Sequence, residues 1–304
     1  MSDTYWFGDV SRISPEAPVP IVKIDHEETR PGAAANVARN ARAMGAEVTL
    51  CCVLGRDEGG DTVRQIIELE GIQNAIVTGG KTIRKLRVIG RQQQVVRVDF
   101  DEPVDDDSRA LLDVTFRGTV QDCDIVVFSD YGKGALADIQ VLIQVAKRAG
   151  KLVLIDPKGY DYKKYAGADL VKPNQDEMRA LVGGWTSEAV LGEKVARLRD
   201  ETGLAKILMT RASDGMSLFT ETGATHYKAA AAEVYDVTGA GDTAIAALAV
   251  GLGRRMSLDG AVYHANLAAG IAVGRFGTAV VTGKEVFGGQ TRDEEARSWQ
   301  NQLA

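Results

Sequence analysis

Cysteine is scarce in this sequence, and its few cysteines are not arranged for a disulfide framework or a metal site. The 304 residues include Cys51, Cys52 and Cys123. An odd number of cysteines suits a disulfide framework poorly, and none of the three has the spacing of zinc ligands. Cys51 and Cys52 are adjacent in the apolar segment VTLCCVLG. We interpret this segment as a buried strand whose thiols are reduced.

Long apolar runs and an excess of basic residues are also missing. No segment approaches the ~20 apolar residues of a membrane-spanning helix, and no basic and then apolar leader opens the chain. We therefore expect a cytoplasmic protein without a membrane partner. The net charge is −6, whereas a general nucleic-acid-binding protein needs a basic face, so we expect no nucleic-acid partner. This charge is compatible with a small anionic ligand held by a few local cations.

The distribution of apolar residues predicts an α/β fold. Residues 19–100 are rich in short strand-like segments, which are interrupted by one helix of sequence AANVARNARAMGA. From about residue 120 onward, continuous apolar segments such as DIVVFSD and KLVLIDP alternate with segments of helical periodicity. Continuous apolar strands between helices indicate a mostly parallel sheet with helices on both faces.

Polar side chains cluster where the predicted parallel strands end. Ligands of such sheets bind beyond the carboxyl ends of the strands. The polar residues at these ends are Ser129, Asp130, Asp156, Asn174, Thr210 and Arg211. Their position predicts a ligand site at this edge of the sheet.

The segment VTGAGDT is interpreted as a turn that leads into a helix. Gly239 and Gly241 favour a turn, and the following residues have helical apolar spacing. A helix N-terminus presents unpaired N–H groups and a partial positive charge, so it can hold an anion. Asp242 would then lie beside an anion site, although an acidic residue there also simply complements the helix dipole. A phosphate loop of the form GxxxxGKS or GxxxxGKT does not occur in the sequence.

The segment VKPNQDE has two interpretations that its spacing does not separate. Asn174 and Glu177 are three residues apart, so both project from the first turn of one helix. An amide and a carboxylate there suit a hydrated Mg²⁺ ion, which takes few protein ligands. The same pair has the sequence of a capping box that closes the helix N-terminus.

These motifs resemble the signatures of the ribokinase-like (PfkB) carbohydrate kinases. DVTGAGDT is similar to the second signature of that family, RPGAAANVARN to the first, and PNQDE to its Asn-x-x-Glu motif. The longer segments SRISPEAPVP and DPKGYDYKKYAGA resemble a subgroup that phosphorylates heptose 7-phosphates. The resemblance covers nearly the whole chain.

The resemblance implies a fold, a reaction and partners. We expect one ribokinase-like domain over residues 1–304, with a central, mostly parallel sheet flanked by helices. A small β-sheet lid would use strands from about 17–30 and 82–100. The implied reaction is ATP-dependent phosphorylation of the anomeric C1 hydroxyl of D-glycero-D-manno-heptose 7-phosphate, on the route to ADP-heptose and the lipopolysaccharide core. The implied ligands are ATP, Mg²⁺ and the sugar phosphate, and a homodimer is expected.

The resemblance also assigns roles by position. Asp242 matches the catalytic base, and Gly239, Ala240 and Gly241 match the N–H groups of the anion hole. Asn174 and Glu177 match residues that organise Mg²⁺ through water and approach the nucleotide phosphates. Further nucleotide contacts are expected from Thr210, Arg211, Gly215, Asn266, Gly270 and Thr278. Sugar contacts are expected from Asp3, Gly32, Asn36, Arg87, Arg97 and Lys158, the last three as candidates for the 7-phosphate.

Several positions depart from the family pattern. Ala33 and Ala212 stand where the first signature and a Thr-x-Gly motif have glycine. The chain begins two residues before Asp3, so we expect the sheet to lack the family's first strand. The polar tail after about residue 290 has no sign of a nucleotidyltransferase, so we expect a stand-alone kinase or an excised half. Two alternatives stay open: another sugar kinase of the family, and a catalytically silent module that binds sugar phosphate or nucleotide.

Overall fold

A computed structural model describes residues 1–91, 93–230 and 234–288 as an α/β fold. The polar tail after about residue 290 lies outside the described residues. The strands are β1 Ser2–Ile13, β2 Pro20–Pro31, β3 Thr49–Leu54, β4 Gln73–Thr78, β5 Arg84–Gly90, β6 Gln93–Phe100, β7 Ile125–Ser129, β8 Leu152–Asp156, β9 Leu170–Val171, β10 Ile207–Thr210, β11 Met216–Thr220 and β12 Gly223–Tyr227. The helices are α1 Ala34–Ala43, α2 Glu58–Leu69, α3 Asp106–Thr119, α4 Ile139–Arg148, α5 Gln175–Val182, α6 Glu188–Thr202, α7 Ala240–Gly253, α8 Leu258–Val273 and α9 Gly283–Phe287.

The largest sheet has six strands in the order β12-β11-β10-β9-β8-β7. Strands β7 to β10 are parallel to one another, and β11 and β12 complete the sheet in antiparallel fashion. Consecutive residues of β8 pack into opposite apolar clusters: Leu154 lies with α7 and α8, whereas Val153 and Ile155 lie with α4 and α6. The strands are therefore apolar on both faces, as expected for a sheet covered by helices on each side. This arrangement confirms the predicted fold class.

A second sheet of four strands has the order β2-β1-β5-β6, and we call it the small sheet. It contains strands from both segments that were expected to supply a lid, 17–30 and 82–100. It also contains β1, which the sequence analysis did not assign to a strand. Strand β1 is central, because it pairs antiparallel with β2 and parallel with β5.

Residues 19–100 hold more than the strands and single helix predicted from sequence. A second helix, α2, follows β3, and Asp57 caps it by accepting a hydrogen bond from the N–H of Gly60 at 2.8 Å. Strands β3 and β4 form a separate parallel pair that packs with α1 and α2, not within the small sheet. Within the described residues, no strand joins this pair to the six-stranded sheet. The start of the chain predicted that one strand of the family's sheet would be absent.

Among the described residues, each helix is too short or too polar to cross a membrane. The three cysteines are half-buried free thiols. Burial raises the pKa of the Cys51 thiol to about 12, so this thiol is protonated near neutral pH.

Candidate functional site

The polar residues at the strand ends lie along one edge of the six-stranded sheet, as predicted. Ser129 and Asp156 are register partners at the ends of β7 and β8. The N–H of Asp130 donates to the backbone carbonyl of Asp156 at 2.8 Å. Asn174 and Thr210 form a parallel bridge at the same edge. The carboxyl ends of the strands thus form the floor of a polar site.

Helix α7 brings Asp242 to this floor. Gly239 precedes the helix with φ at +77°, a left-handed conformation that glycine adopts without strain. A Cβ on Gly239 would lie 2.8 Å from Nδ2 of Asn36, so a larger residue would also displace that amide. The N–H of Ala240 donates to the carbonyl of Val237 at 3.3 Å. The helix N-terminus therefore faces the same space as the Asp242 carboxylate.

The Asp242 carboxylate is buried and held by one hydrogen bond to each oxygen. Nδ2 of Asn36 donates to Oδ2 at 2.8 Å, and the hydroxyl of Tyr131 donates to Oδ1 at 2.7 Å. Burial, assisted by the negative charge of Asp156, raises the pKa of Asp242 to about 6. The two hydrogen bonds and the Lys172 ammonium oppose this rise. A carboxylate with this pKa is ionised at neutral pH and is basic enough to accept a proton.

Asn174 and Glu177 form the capping box that their spacing predicted as one of two possibilities. Oδ1 of Asn174 accepts from the N–H of Glu177 at 2.8 Å, and Oε2 of Glu177 accepts from the N–H of Asn174 at 2.9 Å. The other carboxylate oxygen of Glu177 lies 3.2 Å from Nζ of Lys158. Because each capping oxygen uses one lone pair, oxygen ligands suited to a hydrated Mg²⁺ ion are still available at the start of α5.

The sugar-side candidates meet where β1 and β5 of the small sheet approach α1. Asp3 is buried, and its Oδ1 accepts from Nη1 of Arg87 at 2.6 Å. A Cβ on Gly32 would lie 2.1 Å from Oδ2 of Asp3, so only glycine leaves room for this carboxylate. Asn36, four residues further along the chain, donates a hydrogen bond to Asp242. The predicted residues of the first signature therefore connect the small sheet to the Asp242 carboxylate.

Two other cationic candidates occupy different surroundings. Arg97 is the register partner of Arg87 on the neighbouring strand β6, and it forms an exposed ion pair with Asp99. Lys158 lies after β8 and contacts Glu177, at the other side of the site. Arg87 and Arg97 thus share one face of the small sheet, and Lys158 does not belong to it.

The residues expected to contact the nucleotide differ in whether their polar groups already have hydrogen-bond partners. Thr278 is buried beside Gly239, and its Oγ1 has no hydrogen-bond partner among the described residues, so a ligand could supply one. Nδ2 of Asn266 donates to the carbonyl of Lys228 at 2.6 Å. The guanidinium of Arg211 is engaged by Glu188 at 2.7 Å and by Ser217.

The two glycines among these candidates differ in their constraints. Gly215 has φ at +87°, and a Cβ there would lie 2.0 Å from the carbonyl of Tyr227, so a close backbone approach requires this glycine. Gly270 lies within α8 and is half-buried. A close backbone approach thus accounts for Gly215 without a nucleotide.

Both alanines that replace family glycines adopt a glycine-like backbone. Ala33 has φ at +53° and ψ at −132° at the start of α1, and Ala212 has φ at +47°. A residue with a Cβ pays a conformational strain of about 1–3 kcal/mol in such regions. At both positions an alanine therefore adopts, with strain, a backbone conformation that glycine adopts freely.

Sequence reasoning missed two residues of the site. Tyr131 follows directly on the predicted strand end at Asp130, and its hydroxyl contacts Asp242. Lys172 is buried at the end of β9 and forms an ion pair with Asp156 at 3.0 Å. Lys172 precedes the segment PNQDE, but a single lysine next to a motif carries no signal of burial.

Comparisons with known proteins give the family of the chain. The profile of the pfkB family carbohydrate kinases matches residues 5–283. The chain is 47% identical over 293 residues to the D-beta-D-heptose 7-phosphate kinase of Bordetella bronchiseptica, over 96% of this chain and 94% of that protein. It is 46% identical over 289 residues to the bifunctional protein HldE of Methylococcus capsulatus. That match covers 94% of this chain but 61% of the relative, so the chain spans only part of the bifunctional protein.

Solved structures show the same fold at low sequence identity. Phosphofructokinase-2 from Escherichia coli in complex with potassium superposes with a TM-score of 0.79 at 19% identity, over 97% of this chain and 95% of the other. Ribokinase of Arabidopsis thaliana, complexed with ribose and ATP, gives a TM-score of 0.74 at 20% identity, over 94% and 95%. These two likenesses establish the ribokinase-like fold alone. The profile match and the relatives of nearly half identity establish more: the chain belongs to the pfkB family of carbohydrate kinases.

Proposed function

We propose that this chain transfers the γ-phosphoryl group of ATP to the anomeric C1 hydroxyl of D-glycero-D-manno-heptose 7-phosphate. The products are heptose 1,7-bisphosphate and ADP. Membership of a carbohydrate kinase family supports the reaction type. The name of the relative from Bordetella bronchiseptica supports the choice of sugar phosphate.

The observation that carries this proposal is the surroundings of Asp242. Its carboxylate is buried, lies in the first turn of α7, and is oriented by Asn36 and Tyr131. In the proposed reaction the C1 oxygen attacks the γ-phosphorus, and the bond between the γ-phosphorus and the oxygen that leaves with ADP breaks. Asp242 accepts the proton of the C1 hydroxyl. Phosphoryl transfer depends mostly on positioning and on charge stabilisation, so one oriented base beside an anion site suits this chemistry.

The transferred phosphoryl group would bind at the start of α7, and Mg²⁺ would bind at the start of α5. We propose that the N–H groups of Gly239, Ala240 and Gly241 face the oxygens of the transferred phosphoryl group. The Ala240 N–H, which donates to Val237 at 3.3 Å, would exchange that bond for the phosphate. Asn174 and Glu177 would hold Mg²⁺ through water, and the ion would neutralise charge on the nucleotide phosphates.

The nucleotide would occupy the region between α7, α8 and β10. We propose that the unpaired Oγ1 of Thr278 contacts it next to Gly239. The remaining proposed contacts are Thr210, Arg211, Gly215, Asn266 and Gly270. Arg211 would reach the phosphates only by breaking its ion pair with Glu188. We therefore expect Thr210, at the strand end, to be the main contact with the phosphates.

The sugar would lie between the small sheet and Asp242. We propose that Asp3, Gly32 and Asn36 contact the sugar hydroxyls and that the small sheet covers them as a lid of a single domain. Arg87 and Arg97 are register partners on one face of that sheet, so together they suit a dianionic 7-phosphate. Lys158, which contacts Glu177, would approach the substrate from the nucleotide side.

A coupled ADP-release assay over a panel of sugars and sugar phosphates tests the substrate. We expect the highest kcat/KM with heptose 7-phosphate. Arg97→Met should raise the KM for heptose 7-phosphate by about 10-fold or more, because charge-assisted hydrogen bonds contribute about 1.5–3 kcal/mol. The KM for the heptose without its 7-phosphate is the matched control and should not change. A preference for another sugar phosphate, or an equal effect of Arg97→Met on both heptoses, contradicts the proposed substrate.

A further inference from the structure

Lys172 is a buried cation that the proposed mechanism has not yet used. Its side chain is 3% exposed, and Nζ lies 3.0 Å from Oδ1 of Asp156. Lysine is almost never fully buried unless it is paired, because its ammonium group loses hydration. Asp156 supplies that partner from the end of β8, and the backbone N–H of Lys172 donates to the carbonyl of Ile155 at 2.8 Å. The ion pair is therefore fixed to the carboxyl ends of two adjacent strands.

The ammonium group of Lys172 also lies against the first turn of α7. A Cβ placed on Gly241 would be only 3.3 Å from Nζ of Lys172. A cation is electrostatically unfavourable at a helix N-terminus, where the partial charge is already positive. The carboxylate of Asp156 compensates for this by contacting the ammonium directly at 3.0 Å. Two positive groups that converge on one space create a site that an additional anion would stabilise.

The charges around Lys172 connect it to the proposed base. The Lys172 ammonium lowers the pKa of Asp242, while the carboxylate of Asp156 raises it. Both groups therefore act electrostatically on Asp242, which lies next to Gly241 in the chain. The ammonium group is within the same small volume as the proposed anion hole and the proposed base.

We infer that Lys172 is a catalytic residue that contacts the transferred phosphoryl group from the sheet side, opposite the helix N-terminus. This inference rests on the proposed function for the position of the phosphoryl group. When the phosphoryl group is present, the ammonium is shared between Asp156 and the phosphoryl oxygens. Lys172 forms no covalent bond and gives up no proton. Its positive charge stabilises the negative charge on the equatorial oxygens of the phosphoryl group during transfer.

The test compares binding of ADP and Mg²⁺ with and without fluoroaluminate, which imitates the transferred phosphoryl group. In the parent protein, fluoroaluminate should tighten ADP binding. In Lys172→Met we expect that tightening to fall by about 10²-fold, and kcat with the sugar phosphate to fall by about 10²- to 10³-fold, as for loss of an anion-hole donor. The affinity for ADP alone should stay within about 3-fold, because the β-phosphate does not need Lys172.

Two further variants separate catalysis from structure. Lys147→Met removes a lysine paired with Asp169 away from the site and should leave kcat and fluoroaluminate binding unchanged. The double variant Asp156→Asn/Lys172→Met removes both charges of the buried pair, which relieves any cost of an unpaired carboxylate. If Lys172 only neutralises Asp156, the double variant recovers the parent's kcat and fluoroaluminate tightening. Our inference predicts that it recovers stability but neither of these.

The outcomes also distinguish this inference from the proposed substrate. Fluoroaluminate binding requires no sugar, so its loss in Lys172→Met supports the inference even if the parent does not use heptose 7-phosphate. Equal tightening in the parent and in Lys172→Met overturns the inference, and so does a parent that shows no tightening. Recovery of kcat in the double variant overturns it independently.

Discussion

At the scale of single residues, the candidate site depends on the Asp242 carboxylate, whose pKa is raised by some of its surroundings and lowered by others. Burial and Asp156 raise the pKa of Asp242, whereas Asn36, Tyr131 and Lys172 lower it, and the balance is a pKa of about 6. Without its hydrogen bonds the pKa of the carboxylate would be higher still, and without burial the carboxylate would be a weaker base. The glycines of the same segment let the helix N-terminus lie close to the side chains of Asn36 and Lys172.

The pH dependence of the reaction follows from this balance. As pH rises through about 6 the Asp242 carboxylate loses its proton, so kcat/KM should rise through an acid limb near that pH. Tyr131→Phe removes a hydrogen bond to the ionised form, which raises the pKa of Asp242. The acid limb should therefore move up by about one pH unit, since a charge-assisted hydrogen bond contributes about 1.5–3 kcal/mol. Steady-state kinetics between pH 5 and pH 9, roughly the usable range, measure both profiles. An unmoved limb would contradict the role of Tyr131.

The strained backbone at Ala33 gives a prediction about stability. Because φ is +53° there, Ala33→Gly should raise the free energy of unfolding by about 1 kcal/mol. Ala41→Gly, in the interior of α1, is the matched control and should lower the free energy of unfolding by about 1 kcal/mol. Urea denaturation of the two variants measures both changes. Equal destabilisation by the two substitutions would show that Ala33 carries no strain.

At the scale of elements, strands and helices that carry a motif or a clear apolar pattern were predicted from the sequence. Elements without such a pattern were not. Helices α1, α5 and α7 were predicted from the segments AANVARNARAMGA, VKPNQDE and VTGAGDT. Helix α2 was missed, since its second and third residues are glycines and it is stabilised by the Asp57 cap and by burial of Val63 and Ile67. Strand β1 was missed because its sequence does not alternate, and its two neighbouring strands determine its conformation.

A single substitution at the start of α5 distinguishes the capping role of Glu177 from its proposed role in binding Mg²⁺. Glu177→Gln keeps a side-chain oxygen for the capping box but removes the charge that would attract Mg²⁺. We expect the free energy of unfolding to change by less than about 0.5 kcal/mol, while the Mg²⁺ concentration for half-maximal activity rises about 10-fold or more. Glu177→Ala, which removes both functions, should lower stability as well. If Glu177→Gln has the parent's Mg²⁺ dependence, the capping box is the only role of Glu177.

At the scale of the whole molecule, the edge strand β6 of the small sheet is left uncovered. Every residue of β6 is exposed, and Val96, Val98 and Phe100 share one face of it by alternation. We propose that a second copy of the chain covers this face, since an exposed apolar patch on a sheet marks an interaction surface. The sequence suggested a homodimer only through family resemblance, because exposure of alternate valines appears only once the strands are paired.

The proposed dimer is tested by its mass in solution. The double variant Val96→Asp/Val98→Asp should be monomeric where the parent is dimeric, because it places two carboxylates in the apolar interface. Val114→Asp, at an exposed valine of α3, is the matched control and should stay dimeric. Light scattering coupled to size-exclusion chromatography measures all three masses. A monomeric parent, or a dimeric double variant, would contradict this assignment of the surface.

The ribokinase-like fold and the clustering of polar residues at the strand ends were predictable from sequence, whereas the contacts around Asp242 were not. The glycines and Asp242 lie in one short motif, so their proximity needed no tertiary information. Tyr131 and Lys172 reach the site from separate strand ends, and only the packed sheet brings them together. The exchange of family glycines for alanine at Ala33 and Ala212 was visible in the sequence. That both alanines keep positive φ was not.

The most direct test of the account is the turnover of Asp242→Asn, which keeps the shape of the side chain and removes the base. We expect kcat with heptose 7-phosphate to fall by about 10²- to 10⁴-fold, as for loss of a general base. The dissociation constant for ATP should stay within about 3-fold of the parent's, since binding of the nucleotide does not require the proton acceptor. A variant that turns over like the parent would contradict the assignment of Asp242 as the base.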